Sequence, residues 1–144
     1  MIAVDTSVLV YAHRAEVPQH AGAKRALTQL AQSRAAWCLP WPCVHEFIGV
    51  VTNLRLFKNP TPRQNALEQM QAWMASPSVS LLQETPRHWS LLRQLLEAGD
   101  ITGARVHDAR IAALCLQHGV RELWSSDRDF SRFPTLKVLN PLTI

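Results

Sequence analysis

The chain has 144 residues, which suits one domain, and 47% of them are apolar while 18% are charged. This composition provides a hydrophobic core and excludes an intrinsically disordered chain. No apolar run reaches the roughly 20 residues that a membrane-spanning helix needs. The N-terminus has no basic segment before an apolar one, so we expect a cytoplasmic protein with no signal peptide and no membrane partner. Three cysteines are too few for a disulfide framework and fit a reducing compartment.

The formal net charge is +4, and twelve of the fifteen basic residues are arginine. The planar guanidinium group suits phosphate, so this balance is compatible with a nucleic-acid substrate. Codon usage in a GC-rich genome would enrich arginine equally well. Charge alone therefore leaves the substrate class open.

Apolar patterning predicts strands that alternate with helices along the whole chain. In chain order, the predicted elements are a strand at 2–4, helices at 8–13 and 20–34, a strand at 36–39, helices at 42–53 and 62–74, a strand at 79–82, helices at 86–98 and 106–118, and strands at 122–125 and 136–139. This alternation predicts an α/β fold with a parallel sheet covered on both faces, in a single domain over residues 1–144. We also expect Leu54, Leu67 and Trp89 to lie on the core-facing stripes of their helices.

Carboxylates recur at the ends of the predicted core elements. Asp5 directly follows the first strand and Asp127 follows the fourth, so both should lie beyond the carboxyl edge of a parallel sheet. Glu46 and Asp108 fall in the first turns of two helices, and helix N-termini meet that same edge. Their spacing from apolar neighbours predicts core-facing positions for both. Asp129 follows two residues after Asp127.

Converging carboxylates repel one another by roughly 4 kcal/mol per pair at about 4 Å and an effective dielectric near 20. Helix N-termini return only about 0.3–1 kcal/mol each. The cluster therefore needs a shared proton or a cation, and oxygen ligands favour Mg²⁺ or Mn²⁺ over zinc. The alternative is that some of these acids are helix caps or solvated side chains. Asp129 in particular could bind its own backbone in a turn.

Four segments together resemble the acidic motifs of PIN-domain ribonucleases: VDTS at 4–7, PCVHEF at 42–47, VHDARIA at 106–112 and WSSDRDF at 124–130. The nearest subgroup is the VapC-type toxin of type II toxin–antitoxin pairs, and the resemblance covers essentially the whole chain. It implies a PIN-like three-layer fold with a five-stranded parallel sheet flanked by helices. It also implies Mg²⁺- or Mn²⁺-dependent cleavage of RNA, inhibition by a cognate antitoxin and, commonly, a homodimer.

The resemblance assigns catalysis and metal binding to four acids: Asp5, Glu46, Asp108 and Asp127. Asp129 is a further candidate ligand that the sequence does not rank against Asp127. Ser125 replaces the threonine often found two residues before the fourth acid. As a hypothesis, Mg²⁺ held by Asp5 and Asp108 activates a water for in-line attack on the phosphodiester, which leaves 5′-phosphate and 3′-hydroxyl ends.

Other polar residues near the motifs have two interpretations each. The hydroxyls either cap helices or hydrogen-bond water and phosphate at the metal; they are Thr6, Ser7, Ser125 and Ser126. The flanking arginines either contact RNA phosphates or are ordinary surface charge; they are Arg14, Arg105, Arg110, Arg128 and Arg132. Helices at 20–34 and 42–57 offer apolar surface for an amphipathic antitoxin segment.

Competing functions stay open at this point. A zinc site lacks the spacing it needs, because no pair of the six histidines is four residues apart. A non-catalytic module would be a receiver-like signalling domain or an RNA-binding domain. A receiver needs a lysine near its last strand, and Lys137 is the available candidate. An RNA-processing or DNA-acting nuclease of the same fold is the third alternative.

Overall fold

The alternation of strands and helices is present along the chain in the computed structural model, which describes residues 1–143. In chain order the elements are β1 (Ile2–Val4), α1 (Thr6–His13), α2 (His20–Gln32), β2 (Trp37–Pro40), α3 (Trp41–Val51), α4 (Arg63–Met74), β3 (Val79–Leu82), α5 (His88–Ala98), α6 (Val106–Gln117), β4 (Glu122–Trp124) and β5 (Lys137–Leu139), with 3₁₀ turns at Gly103–Arg105 and Arg128–Arg132. Within residues 1–143, no helix has both the length and the apolar content for crossing a membrane. The predicted α/β fold is confirmed.

The five strands form one parallel sheet in the order β3-β2-β1-β4-β5. The chain runs outward from β1 to β3 on one side and then crosses to β4 and β5 on the other. β1 and β4 therefore flank the switch point, where crevices open beyond the strand ends. Val4 pairs with Trp124, and the Asp5 N–H donates to the Trp124 carbonyl at 2.9 Å. The segments that follow these two strands thus leave the sheet side by side.

The core surrounds the central strands on both faces. Successive residues of β1 and β2 are fully buried, including Ala3, Val4, Cys38 and Leu39. Because successive strand side chains point to opposite faces, this pattern requires cover on both sides of the sheet. α6 is the most deeply buried helix, with all residues from 111 to 115 in the core. The burial of α6 fixes the orientation of its N-terminal turn, which carries Asp108.

The predicted placement of three apolar side chains is wrong. Leu54, Leu67 and Trp89 are 73%, 44% and 67% exposed. α3 ends at Val51, so Leu54 lies beyond the helix whose stripe it was expected to extend. α4 and α5 lie at the periphery, where a helix contacts the core along a narrower strip, and α5 has no fully buried residue. Apolar periodicity identified these helices correctly but overstated the width of their buried faces.

Candidate active site

Asp5 is a buried carboxylate at the carboxyl end of the central strand. It is 5% exposed and occupies the N-cap position of α1, yet its side chain caps no backbone N–H. Its carboxylate instead accepts hydrogen bonds from Ser125 Oγ at 2.7 Å and Ser7 Oγ at 3.3 Å. Burial raises the pKa of Asp5, and the Ser125 hydrogen bond opposes that rise. Within residues 1–143, no lysine or arginine forms an ion pair with it.

The two serines tie the loop after β4 to Asp5. Ser125 Oγ also accepts a hydrogen bond from the Asp127 backbone N–H at 2.9 Å, and Ser7 Oγ accepts one from the Ser126 N–H at 3.1 Å. The positions of Asp5 and Asp127 are therefore coupled through neutral donors. The sequence suggested capping or contact with water and phosphate for these hydroxyls and missed this positioning role. The available signal was that Ser125 directly follows the strand paired with β1.

Three aspartates approach one another at the mouth of the site. Carboxylate oxygens of Asp108, Asp127 and Asp129 lie within 4.8 Å of one another. Asp108 occupies the first turn of α6, while Asp127 caps the following 3₁₀ turn by accepting the Asp129 N–H at 2.9 Å. Desolvation, followed by repulsion from the neighbouring acids with Asp127 foremost, raises the pKa of Asp108 to about 6. Among residues 1–143, one ion pair involves this cluster and joins Arg105 Nη2 to an Asp129 oxygen at 4.0 Å.

The four acids assigned by resemblance share one depression of about 250 Å³, named here the acidic cleft. Its lining residues are Asp5, Thr6, Ser7, Val10, Tyr11, Glu46, Val50, Asp108, Ile111 and Asp127. Asp129 joins the cluster with Asp108 and Asp127 but does not line the acidic cleft. The structure thus brings together residues that are up to 122 positions apart in the sequence.

Glu46 lies on the rim of the acidic cleft and is exposed, so its predicted core-facing position is wrong. α3 buries Cys43 and Phe47, and the intervening turn leaves Glu46 on the flank of that buried stripe. Desolvation and repulsion from Asp5 raise the pKa of Glu46, while His107 acts in the opposite direction. A carboxylate at the rim can meet both solvent and the buried acids.

The donor set fits a hard divalent cation. Its carboxylate oxygens are accompanied by Thr6 Oγ1, a buried hydroxyl with no hydrogen-bond partner among residues 1–143. Cys43 Sγ lies 3.7 Å from Asp5, but burial raises the pKa of this thiol well above its usual range, so it stays protonated. A protonated thiol is a poor zinc ligand, whereas oxygen donors suit Mg²⁺ or Mn²⁺.

The structure places Lys137 away from the acids. Lys137 begins β5 and pairs in register with Glu122, the first residue of β4. It therefore lies at the amino edge of the parallel sheet, opposite the edge that carries Asp5 and Asp127. This location does not support the receiver-like alternative.

Comparison with known proteins places these residues in a family context. A model of the PIN domain matches residues 2–136. The chain is 40% identical over 142 residues to ribonuclease VapC43 of Mycobacterium tuberculosis. The alignment covers 99% of this chain and 96% of that protein.

Two solved structures have a similar fold. VapC20 of Mycobacterium tuberculosis, described as a toxin that cleaves the sarcin-ricin loop, matches with a TM-score of 0.68 and 21% identity over 91% of this chain and 93% of its own. VapBC2 from Rickettsia felis, bound to a DNA fragment from the promoter, matches with a TM-score of 0.67 and 18% identity over 96% and 98%. At these identities the similarity concerns the fold alone.

Proposed function

The chain belongs to the PIN-domain family and to its VapC ribonucleases, and on this premise we propose that it is a divalent-metal-dependent endoribonuclease, the toxin of a toxin–antitoxin pair. The observation that carries the proposal is the convergence of Asp5, Glu46, Asp108 and Asp127 on one cleft. Structural acids seldom share a cleft without cations to neutralise them. Among residues 1–143, no lysine or arginine pairs with Asp5, Glu46, Asp108 or Asp127, so this cleft is suited to a metal ion.

In this proposal Asp5, Asp108 and Asp127 hold Mg²⁺ or Mn²⁺, and Glu46 and Asp129 complete the ligand set. When bound, the ion would supply Lewis-acid stabilisation of phosphate charge and a lower pKa for water. Ser125 holds Asp5 in one orientation by its 2.7 Å hydrogen bond, so this carboxylate is preorganised.

Glu46 lies at the rim of the acidic cleft, where its carboxylate is placed to orient the attacking water. In-line attack by water on phosphorus breaks the bond to the 3′ oxygen. The expected ends are 5′-phosphate and 3′-hydroxyl, and the ribose 2′-hydroxyl is not the nucleophile.

The partners in this proposal are an RNA substrate, a protein antitoxin and a second copy of the chain. The relative described as VapBC2 supports the antitoxin. The apolar side chains left exposed beyond α3, Leu54 and Leu56, provide surface for an amphipathic antitoxin segment. A mass measurement in solution tests the homodimer.

The decisive experiment compares wild type with Asp5→Asn and Asp108→Asn on total cellular RNA and on defined oligoribonucleotides. We expect cleavage in Mg²⁺ or Mn²⁺, none in EDTA, recovery on adding metal back, and loss in both variants. Asp100→Asn is the matched control, because Asp100 is exposed and has φ 49°, which asparagine also adopts readily. Metal-independent cleavage, or full activity in both cleft variants, would falsify the proposal.

Mapping the ends of the products tests the mechanism separately. Cyclic phosphate or 3′-phosphate ends would show attack by the ribose hydroxyl and contradict the proposed role of water. Cleavage of DNA in preference to RNA would favour the DNA-acting alternative.

A further inference from the structure

We propose that the acidic cleft continues into a subsite for one unstacked nucleotide adjacent to the scissile phosphate, an inference that rests on the proposed function. The subsite, named here the flanking pocket, is lined by Pro42, His45, Glu46, His107, Arg110 and Ile111 and encloses about 350 Å³. It differs from the acidic cleft in chemistry, since it combines one carboxylate with a guanidinium group and two imidazoles.

Glu46 and Ile111 line both depressions, so the flanking pocket is directly next to the acidic cleft. Asp127 lines both the acidic cleft and a third depression that contains Arg128. A single strand with its scissile phosphate at the acids therefore has two further depressions next to it. The flanking pocket is the one with aromatic side chains beside it.

Arg110 provides the anion-binding group. Its ion-pair partner is Glu84, with Nη2 and Oε1 3.4 Å apart and both side chains substantially exposed. Exposed pairs of this kind contribute little, so a phosphate can replace Glu84 at small cost. The guanidinium fork then offers two N–H groups to one phosphate. A cation at this point also offsets the repulsion that the acidic cleft exerts on an RNA backbone.

His45 and His107, the two histidines of the flanking pocket, differ from the other histidines in being free to bind a ligand. The other four histidines each hydrogen-bond a neighbouring group. Within residues 1–143, the side chains of His45 and His107 make no hydrogen bond, and both residues are exposed. Their ring N–H groups can therefore donate to phosphate or to the edge of a base.

Trp41 supplies a stacking surface beside these donors. Its ring lies next to that of His45, with centroids 6.0 Å apart and planes tilted by 32°. Stacking of a base on an aromatic side chain stabilises single-stranded RNA complexes in a sequence-tolerant way. A base in this position cannot be stacked within a duplex, so the subsite selects a single-stranded or extruded nucleotide.

The test uses oligoribonucleotides that span a mapped cleavage site and are shortened one nucleotide at a time from each end. Steady-state kinetics are measured with Mg²⁺, and binding of labelled oligonucleotides is measured by anisotropy in EDTA. The variants are Arg110→Gln and His45→Ala. Arg93→Gln is the matched control, because Arg93 is also paired with a glutamate, Glu97, but lies on α5 and lines neither the acidic cleft nor the flanking pocket.

For wild type, removing the nucleotide that occupies the flanking pocket should raise KM by about tenfold or more, with little change in kcat. Arg110→Gln should raise KM for the longer oligonucleotide to a similar extent and become insensitive to removal of that nucleotide. His45→Ala should act in the same direction, and Arg93→Gln should have no effect. Melting temperatures of the variants establish that they fold.

Equal sensitivity of wild type and Arg110→Gln to every truncation would overturn the inference, as would an equal effect of Arg93→Gln. A fall in kcat at unchanged KM would also overturn it, because Arg110 would then act on the chemical step. If Asp5→Asn and Asp108→Asn cleave as wild type does, the proposed function fails while the anisotropy series still decides the subsite. Truncation-dependent binding that Arg110→Gln abolishes would support the subsite in that case.

Discussion

Removing one negative charge from the acidic cleft should make the metal-free protein more stable. Asp108 has its pKa raised from 3.8 to about 6 by burial and by the neighbouring acids. The unfolded chain therefore releases this proton at lower pH than the folded protein does, and ionisation disfavours the folded state as pH rises from about 4 to about 6. Asp108→Asn removes that penalty at pH 7.5.

The size of the effect follows from the same pKa. At about 1.4 kcal/mol per pKa unit, the upper limit is about 3 kcal/mol. Asp108 is partly exposed, so solvent screening lowers the expected gain to about 1 kcal/mol. For a chain of 144 residues this corresponds to a rise of about 3 °C in melting temperature. The difference should shrink as the pH is lowered from 6 towards 4.

Calorimetry with and without metal provides the assay. In EDTA at pH 7.5, Asp108→Asn should melt above wild type. Mg²⁺ at one hundred times its dissociation constant should stabilise wild type by about 2.7 kcal/mol and the variant by less. In Mg²⁺, wild type should therefore be the more stable of the two proteins. The melting temperature of Asp100→Asn should match that of wild type both in EDTA and in Mg²⁺. A variant that is less stable in EDTA, or one that gains as much from Mg²⁺ as wild type does, would refute this account of the cleft.

Three further outcomes are expected. Ser125→Ala removes the hydroxyl that bridges Asp5 and the Asp127 backbone. It should lower the free energy of unfolding, measured in urea, by about 1–3 kcal/mol and reduce cleavage. Unchanged stability and unchanged cleavage would contradict the positioning role of Ser125. All three thiols are buried, and burial raises the pKa of Cys38 to about 12. A thiol reagent at pH 8 should therefore react slowly with native protein and completely in denaturant. Rapid labelling of the native protein would count against this packing. Phe47→Ala should lower the free energy of unfolding by about 3–5 kcal/mol because Phe47 is fully buried. Trp89→Gln, on the exposed face of α5, should change it by no more than about 0.5 kcal/mol. Comparable losses of stability in the two variants would show that the assigned core is wrong.

The order of elements and the location of the acids along the chain could be predicted from the sequence. Apolar runs identified the five strands, because a strand covered on both faces needs apolar side chains at successive positions. Asp5 and Asp127 could be placed at a common edge because parallel strands end on the same side of a sheet. Four spaced motifs were enough to identify the family, since all four acids are present in the expected order.

Tertiary structure decided how those residues meet. Only the register of Val4 with Trp124 brings Ser125 within 2.7 Å of Asp5, and a local pattern holds no information about pairing across about 120 residues. The exposure of Glu46 depends on how α3 tilts against the sheet, which periodicity along one helix does not specify. The neighbouring positions of His45, His107 and Arg110 likewise arise because the parallel sheet brings the N-terminal ends of α3 and α6 to one edge. Local sequence fixes which side chains each element offers, while packing between distant elements determines which of them share a cleft.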